Sequence, residues 1–418
     1  MPAPTTRRTP LLFVAAACSA LTAPRAQAIE PDPLRASSGA AIEDAEQWQA
    51  TRRPEVLELF RRHVYGRAPA PRSLAIEQQE SADALGGAAV RKQWSLRYGE
   101  GDDEQIHVLA YLPRERARPT PVFVALNFHG NQTVHADPGI RMATCWVRNN
   151  PRLGVTENRA TEETRGSASR RWPLKLLLSR GYGLVTACYG DIDPDFDDGF
   201  ANGLHGALDG KEAARPSDSW GAISAWAWGL SRILDSLEAD EDIDAARAAV
   251  LGHSRLGKTA LWAGARDERF WMVVSNDSGC GGAAYSRRRR GETVAVITKN
   301  FPHWFCSTFR SYAEKEASLP VDQHLLVALC APRPVYVASA EKDAWADPEG
   351  EFLSALGADP VYRLLCGDGL PANKLPAVDQ PAHGRIGYHL RSGKHDLLLA
   401  DWEHYLDFAD RHLAAEAK

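Results

Sequence analysis

Seven residues, Gly252-His253-Ser254-Arg255-Leu256-Gly257-Lys258, constrain this chain more than any other stretch. The residues just before them, Ala248-Ala249-Val250-Leu251, are small and apolar, as the end of a buried strand is. Those just after, Thr259-Ala260-Leu261-Trp262-Ala263-Gly264-Ala265, have helical composition. A strand, a sharp glycine-bounded turn carrying serine and then a helix form a nucleophile elbow. The turn pushes the serine hydroxyl out above the sheet, and the free N–H groups and positive dipole end of the helix face an oxyanion forming there. The common G-x-S-x-G spacing is not kept, because the second glycine, Gly257, comes one residue late.

The rest of the chain supplies a sheet for that turn. Residues 48–66 read as an amphipathic helix ending at Gly66, and Trp94–Tyr98 with Ile106–Leu112 read as paired strands around a polar turn. Pro121–Phe128 is a buried strand running into His129-Gly130, a turn that lies beside the nucleophile in folds of this kind. Residues 131–171, polar and rich in arginine, read as a long surface insertion. A helix at 172–178 and a strand at 182–189 follow, then the acidic run Asp191, Asp193, Asp195, Asp197 and Asp198, which suits either a solvated turn or, less well, a calcium loop. Ile223, Trp226, Leu230, Ile233, Leu234 and Leu237 repeat at helical spacing. Strands at 270–275, 334–340 and 388–390 and a last helix around Trp402 and Phe408 complete the alternation. The expected fold is α/β: an α/β-hydrolase with a mostly parallel central sheet flanked by helices in three layers.

The N-terminus reads as a leader. Arg7-Arg8, an apolar run from Leu11 to Ala17 and Ala26-Gln27-Ala28 make a basic segment, a short hydrophobic segment and an A-x-A cleavage site. The run is shorter than the ~18 apolar residues of a membrane span. Residues 1–28 are expected to be a signal peptide, with a weak suggestion of the twin-arginine route, and residues 29–418 one catalytic domain in a secreted or periplasmic protein. A lipid-modified Cys18 is the alternative, but Ala15 suits it poorly. A formal charge of -5 argues against nucleic acid as a partner, and no membrane partner, cofactor or metal is expected; the protein is read as a monomer. Six cysteines follow the leader with no zinc-like spacing and no pairing that can be assigned.

An activated serine needs a base, and the base needs an orienting acid. His395, in a glycine-bounded loop just before the last helix, holds the position of the base; His383, His389 and His404 are weaker rivals. Two acids compete: Asp343 after the next-to-last strand, which topology favours, and Asp277 after the strand that follows the elbow. Either can instead cap a turn.

These motifs carry a family resemblance. Ser254-Arg255-Leu256-Gly257-Lys258, Asn276-Asp277-Ser278-Gly279-Cys280-Gly281-Gly282, Asp343-Ala344-Trp345-Ala346-Asp347-Pro348 and Gly393-Lys394-His395 together resemble the bacterial glucuronoyl esterases of carbohydrate esterase family 15. The resemblance runs from about Asn127 to the C-terminus. It implies hydrolysis of esters between lignin alcohols and the (4-O-methyl)glucuronic acid branches of xylan. It also implies Ser254 as nucleophile, His395 as base, Arg255 as oxyanion stabiliser, and Lys258, Glu292 and Trp345 as contacts to the uronate sugar. The family more often has Glu where this chain has Asp277, and the shorter side chain strengthens Asp343. The run Arg287–Arg290 before Glu292 suits a solvated patch or an attraction for acidic xylan. Competing readings are an acetyl-xylan esterase or a peptidase on the same fold, and an inactive carbohydrate-binding relative.

Overall fold

The computed structural model describes residues 1–2, 29–101, 104–115, 119–209 and 215–416. The leader read at 1–28 lies almost entirely outside them. Ten strands form one sheet: β1 (Ala75–Ala84), β2 (Ala89–Arg97), β3 (Gln105–Pro113), β4 (Thr120–Asn127), β5 (Gly183–Cys188), β6 (Ile243–His253), β7 (Met272–Asn276), β8 (Val335–Ala340), β9 (Ala382–His383) and β10 (Ile386–Arg391). Their order is β1-β2-β3-β5-β4-β6-β7-β8-β10-β9. The central strands β5, β4, β6, β7, β8 and β10 run parallel, and antiparallel pairings are confined to β1–β2–β3–β5 and to β9 on the far edge. This is the α/β-hydrolase architecture that the alternation implies.

Alternation along each central strand builds two apolar layers. In β4, Val122, Val124 and Leu126 face one layer, with Trp226, Ile233, Leu261, Trp262 and Phe352. Phe123 and Ala125 face the other, with Leu177, Trp402, Tyr405 and Phe408. Burial of Trp226 and Trp262 thus docks the helices Ala222–Leu237 and Arg255–Arg266 on the first face, while Leu399–Glu416 covers the second. The helix Pro348–Cys366 and strand β1 are additions to the sequence reading. β1 is largely exposed and polar, so it lacks the apolar alternation that marks a strand. Segment 131–171 contains only short 3-10 turns, yet it buries Val134, Ile140, Cys145, Val147 and Val155 against the body.

The parallel strands point their carboxyl ends in one direction, where ligands of open α/β sheets sit. His129 follows β4, Asp195 follows β5, Ser254 β6, Asp277 β7, Asp343 β8 and His395 β10. Topology alone therefore gathers residues spread over 267 positions of sequence, His129 to His395, along one edge.

Candidate active site

Ser254 sits between β6 and the helix Arg255–Arg266 with φ +58° and ψ −128°. That backbone is strained for a side-chain-bearing residue, and its N–H donates to Asn276 O at 2.9 Å, which ties the turn to β7. Gly252 is obligatory, since a Cβ there would lie 1.8 Å from Leu256 O. Gly257 closes the helix onto the Asn276–Ser278 turn, where a Cβ would lie only 3.0 Å from that of Ser278. The late glycine thus marks helix-to-sheet packing, and the buried Leu256 occupies the usual glycine position.

His395 Nδ1 lies 2.5 Å from Asp343 Oδ2. Asp343 is buried, whereas the His395 side chain is 40% exposed. Ser254 makes no side-chain hydrogen bond among the described residues; such contacts often tighten only with substrate in place. Asp277 has a different situation. Its Oδ2 accepts from Asp396 N at 3.2 Å and from Arg391 Nη2 at 3.4 Å, and its Oδ1 has no partner. One oxygen of Asp277, one of Asp343 and one ring nitrogen of His395 lie within 4.8 Å of one another. Both candidate acids thus converge on the histidine, but only Asp343 bonds to it. Among the rivals, His389 is buried against Asp401 and Tyr336, and His383 bonds to the same Tyr336.

Arg391, which sequence reasoning missed, staples the His395 loop. Buried at the end of β10, it donates to the carbonyls of Ser392, Lys394 and Asp396 at 2.9, 3.0 and 2.9 Å and pairs with Asp401. Glu351, also missed, organises the Asp277 turn: it accepts from the N–H groups of Ser278 and Gly279 at 2.7 and 3.0 Å and from Ser339 Oγ at 2.6 Å. Burial pushes the Glu351 carboxyl up to about 7 against these donors. Burial, with Glu351 nearby, also pushes Asp277 well above the usual carboxylate range, although Arg391 opposes this.

The acidic run after β5 is only partly solvated: Asp191, Asp193 and Asp195 are buried, whereas Asp197 is exposed. Asp195 is fully buried and forms an ion pair with Arg255. It also receives His303 Nε2 at 2.9 Å, Trp304 Nε1 at 2.7 Å and Arg148 Nη2 at 3.0 Å. Burial works against its charge, but the His303 bond, Arg255, the Trp304 N–H and Arg148 outweigh it and hold Asp195 well below the usual range. The Arg255 guanidinium lies 4.7 Å from the Trp304 ring centroid and commits only Nη1 to Asp195. Asp193 pairs with His205 instead. Only folding brings Asp195 to Arg255, 60 residues on, so no local motif marks it.

Lys258, Glu292 and Trp345 lie together in the structure. Lys258 is buried, donates to Ser278 O and lies 3.8 Å from Glu292. Glu292 N donates to Trp345 O at 2.8 Å. Trp345 is 54% exposed, so it is no core residue. In the arginine run, Arg287 pairs with Asp322, Arg288 with Asp347 and Glu349, and Arg289 with Glu314 and Glu316, which neutralises most of its charge. The six described cysteines are free.

A sheet of this order, with a strained serine after its central strand and a histidine–aspartate pair after later strands, belongs to an α/β-hydrolase. Comparison with known proteins narrows the class. A family model for fungal glucuronyl esterases matches residues 215–366. A carbohydrate esterase from an unknown prokaryotic organism is 50% identical over 93% of this chain and 90% of its own length. A promiscuous family 15 esterase from a marine bacterial metagenome has a solved structure with 50% identity and a TM-score of 0.87, covering 93% of this chain and 98% of that one. A glucuronoyl esterase from Solibacter usitatus has 42% identity and a TM-score of 0.86, with the same coverage. The chain belongs to carbohydrate esterase family 15, and it is a carboxylic ester hydrolase.

Proposed function

We propose that this protein hydrolyses the ester joining the (4-O-methyl)glucuronic acid branches of xylan to lignin alcohols, through an acyl-enzyme on Ser254. The observation that carries this reading is the pairing of a strained serine and a His395–Asp343 dyad with a buried Lys258–Glu292 pair beside exposed Trp345. A cation, a carboxylate and a flat apolar face suit the hydroxyls and ring of a uronate sugar. An acetyl or peptide group needs no such clamp.

In this reading His395 takes the Ser254 proton as Oγ attacks the ester carbonyl. The oxyanion forms beside Arg255, whose Nη2 has no protein partner among the described residues. Asp343 stabilises the imidazolium, which then protonates the departing alcohol. Water repeats the sequence on the acyl-enzyme and releases the uronic acid. A relative described as promiscuous favours a second, broader reading that includes other esters. One assay separates the two: catalytic efficiency on benzyl glucuronate against an acetylated sugar, with Ser254→Ala as control. Faster cleavage of the uronate ester, lost in the variant, supports the proposal; a better acetyl ester overturns its substrate.

We infer also that residues 1–28 are removed on export and that the mature chain works as a monomer outside the cytoplasm. No described helix is long and apolar enough to cross a membrane. Intact mass of the exported protein tests the cleavage, and a mature chain starting at Cys18 with an added lipid overturns it.

A further inference from the structure

We propose that His253, the residue before the nucleophile, is a positioning residue: its buried ring is the wall that holds the His395 imidazole in its working plane. The inference rests on His395 being the base. The two rings lie face to tilted face, with centroids 4.6 Å apart and planes at 43°. A single bond, Nδ1 to Asp343, fixes the edge of His395, and one bond leaves a ring free to swing about its own axis. With 40% of the side chain open to solvent, the loop itself does not stop that motion. His253 closes one face.

His253 is itself held firmly. It is buried at the end of β6, directly opposite Asn276 of β7, and its Nδ1 lies 2.5 Å from Asn276 Oδ1. An amide oxygen only accepts, so His253 Nδ1 is the donor in this bond, while Asn276 Nδ2 donates to Tyr405 OH at 2.9 Å. Phe128 meets the ring at 87°. The tautomer is thereby set, with the proton on Nδ1.

The charge state is set too. The ionisable groups around His253 are His395 on the β10 loop, Asp277 4.0 Å away after β7, Arg391 on β10 and Arg171 before the helix Leu174–Ser179. Burial first, then His395, Arg171 and Arg391, push His253 well below the usual histidine range. A neutral ring can stay against His395 when the latter becomes imidazolium, and its π face attracts that cation. A second imidazolium would repel it.

His253 Nε2 has no protein partner among the described residues, and the ring lines a cavity of about 200 Å³ with His129, Arg171 and Leu397. That space accommodates a slightly larger ring, which permits a discriminating pair of variants. His253→Phe keeps the wall and loses the bond to Asn276; His253→Gln keeps a donor for Asn276 and loses the wall. We expect kcat on benzyl glucuronate, and on 4-nitrophenyl acetate as a reader independent of the sugar, to stay within about fivefold of wild type in His253→Phe. It is expected to fall about 10²-fold in His253→Gln, the cost of a catalytic group displaced by about 1 Å. KM is expected to change less than about threefold in both, because His253 lies outside the sugar clamp. His253→Gln equal to or better than His253→Phe in kcat, or a loss confined to KM, overturns the proposal. Thermal melting of both variants identifies a folding defect, and the Phe variant, the better packed of the two, then decides by its kcat alone: a loss beyond about tenfold overturns the wall. Retained turnover in Ser254→Ala instead means that the catalytic reading has failed.

Discussion

Two buried carboxyl groups flank the elbow and are pushed in opposite directions. Asp195, after β5, is fully buried yet held ionised, because Arg255, Arg148, His303 and Trp304 all point donors at it. Asp277, after β7, is equally buried but meets only a backbone N–H and a long contact to Arg391, with the Glu351 carboxyl close by, and it is pushed towards the neutral form. Burial penalises both charges alike, so the donors decide. The lesson is a division of labour. One arm of the site spends a buried negative charge to anchor the Arg255 guanidinium. The other pushes Asp277 and Glu351 towards their protonated forms and leaves Asp343 as the direct partner of His395.

The sharpest way to break this comparison is to exchange the acids for amides. Asp343→Asn should lower kcat about 10⁴-fold, since the amide no longer stabilises the imidazolium. Asp277→Asn should cost about tenfold at most, because an amide closely mimics a protonated carboxyl. Steady-state kinetics on benzyl glucuronate gives the ranking, and the reverse order would make Asp277 the working acid. On the other arm, Asp195→Asn and Arg255→Ala should each lower kcat about 10²–10³-fold, the usual effect of losing one oxyanion donor. The double variant should add little to either, because Asp195 acts through Arg255; additive losses would separate the two roles.

The protonated side has a pH signature. Glu351 is raised to about 7 in the fold, from about 4.3 in an unfolded chain. A group that binds its proton more tightly when folded stabilises fully below the unfolded value, and this contribution is lost as pH rises towards the folded one. The melting temperature should therefore fall between about pH 4.5 and 7, by an amount on the order of 3 kcal/mol in stability, and Glu351→Gln should flatten that slope. An unchanged slope in the variant would assign the proton elsewhere. The smallest effect is expected outside both arms: Lys258→Ala should raise KM about tenfold and leave kcat nearly unchanged, as loss of one charged hydrogen bond to the sugar. A fall confined to kcat would place Lys258 at the reacting centre.

Legibility in the sequence follows this same division. The serine, the histidine and both candidate acids were readable because each stands just after a strand of apolar residues, and a parallel sheet aligns its strand ends. Asp343 over Asp277 followed from the same topology, and the 2.5 Å contact to His395 agrees. The Asp191–Asp198 run was visible only as an acidic cluster. Its composition says nothing of the His303, Trp304 and Arg255 that enclose Asp195, since those contacts span 60 to 109 residues. Arg391 looked like one more charged residue at a strand end, yet it holds three carbonyls of the His395 loop.

By itself, then, the sequence determined the layered fold, the elbow and the order of the catalytic candidates. These depend on local periodicity and on glycines whose replacement would collide with the neighbouring backbone. Tertiary structure alone decided which acid bonds to His395, which buried carboxyl is surrounded by donors, and which ring lies against His395. Those outcomes depend on distances of a few ångströms between segments remote in the chain, and on how many donors surround each buried oxygen, quantities that no local pattern of residues encodes.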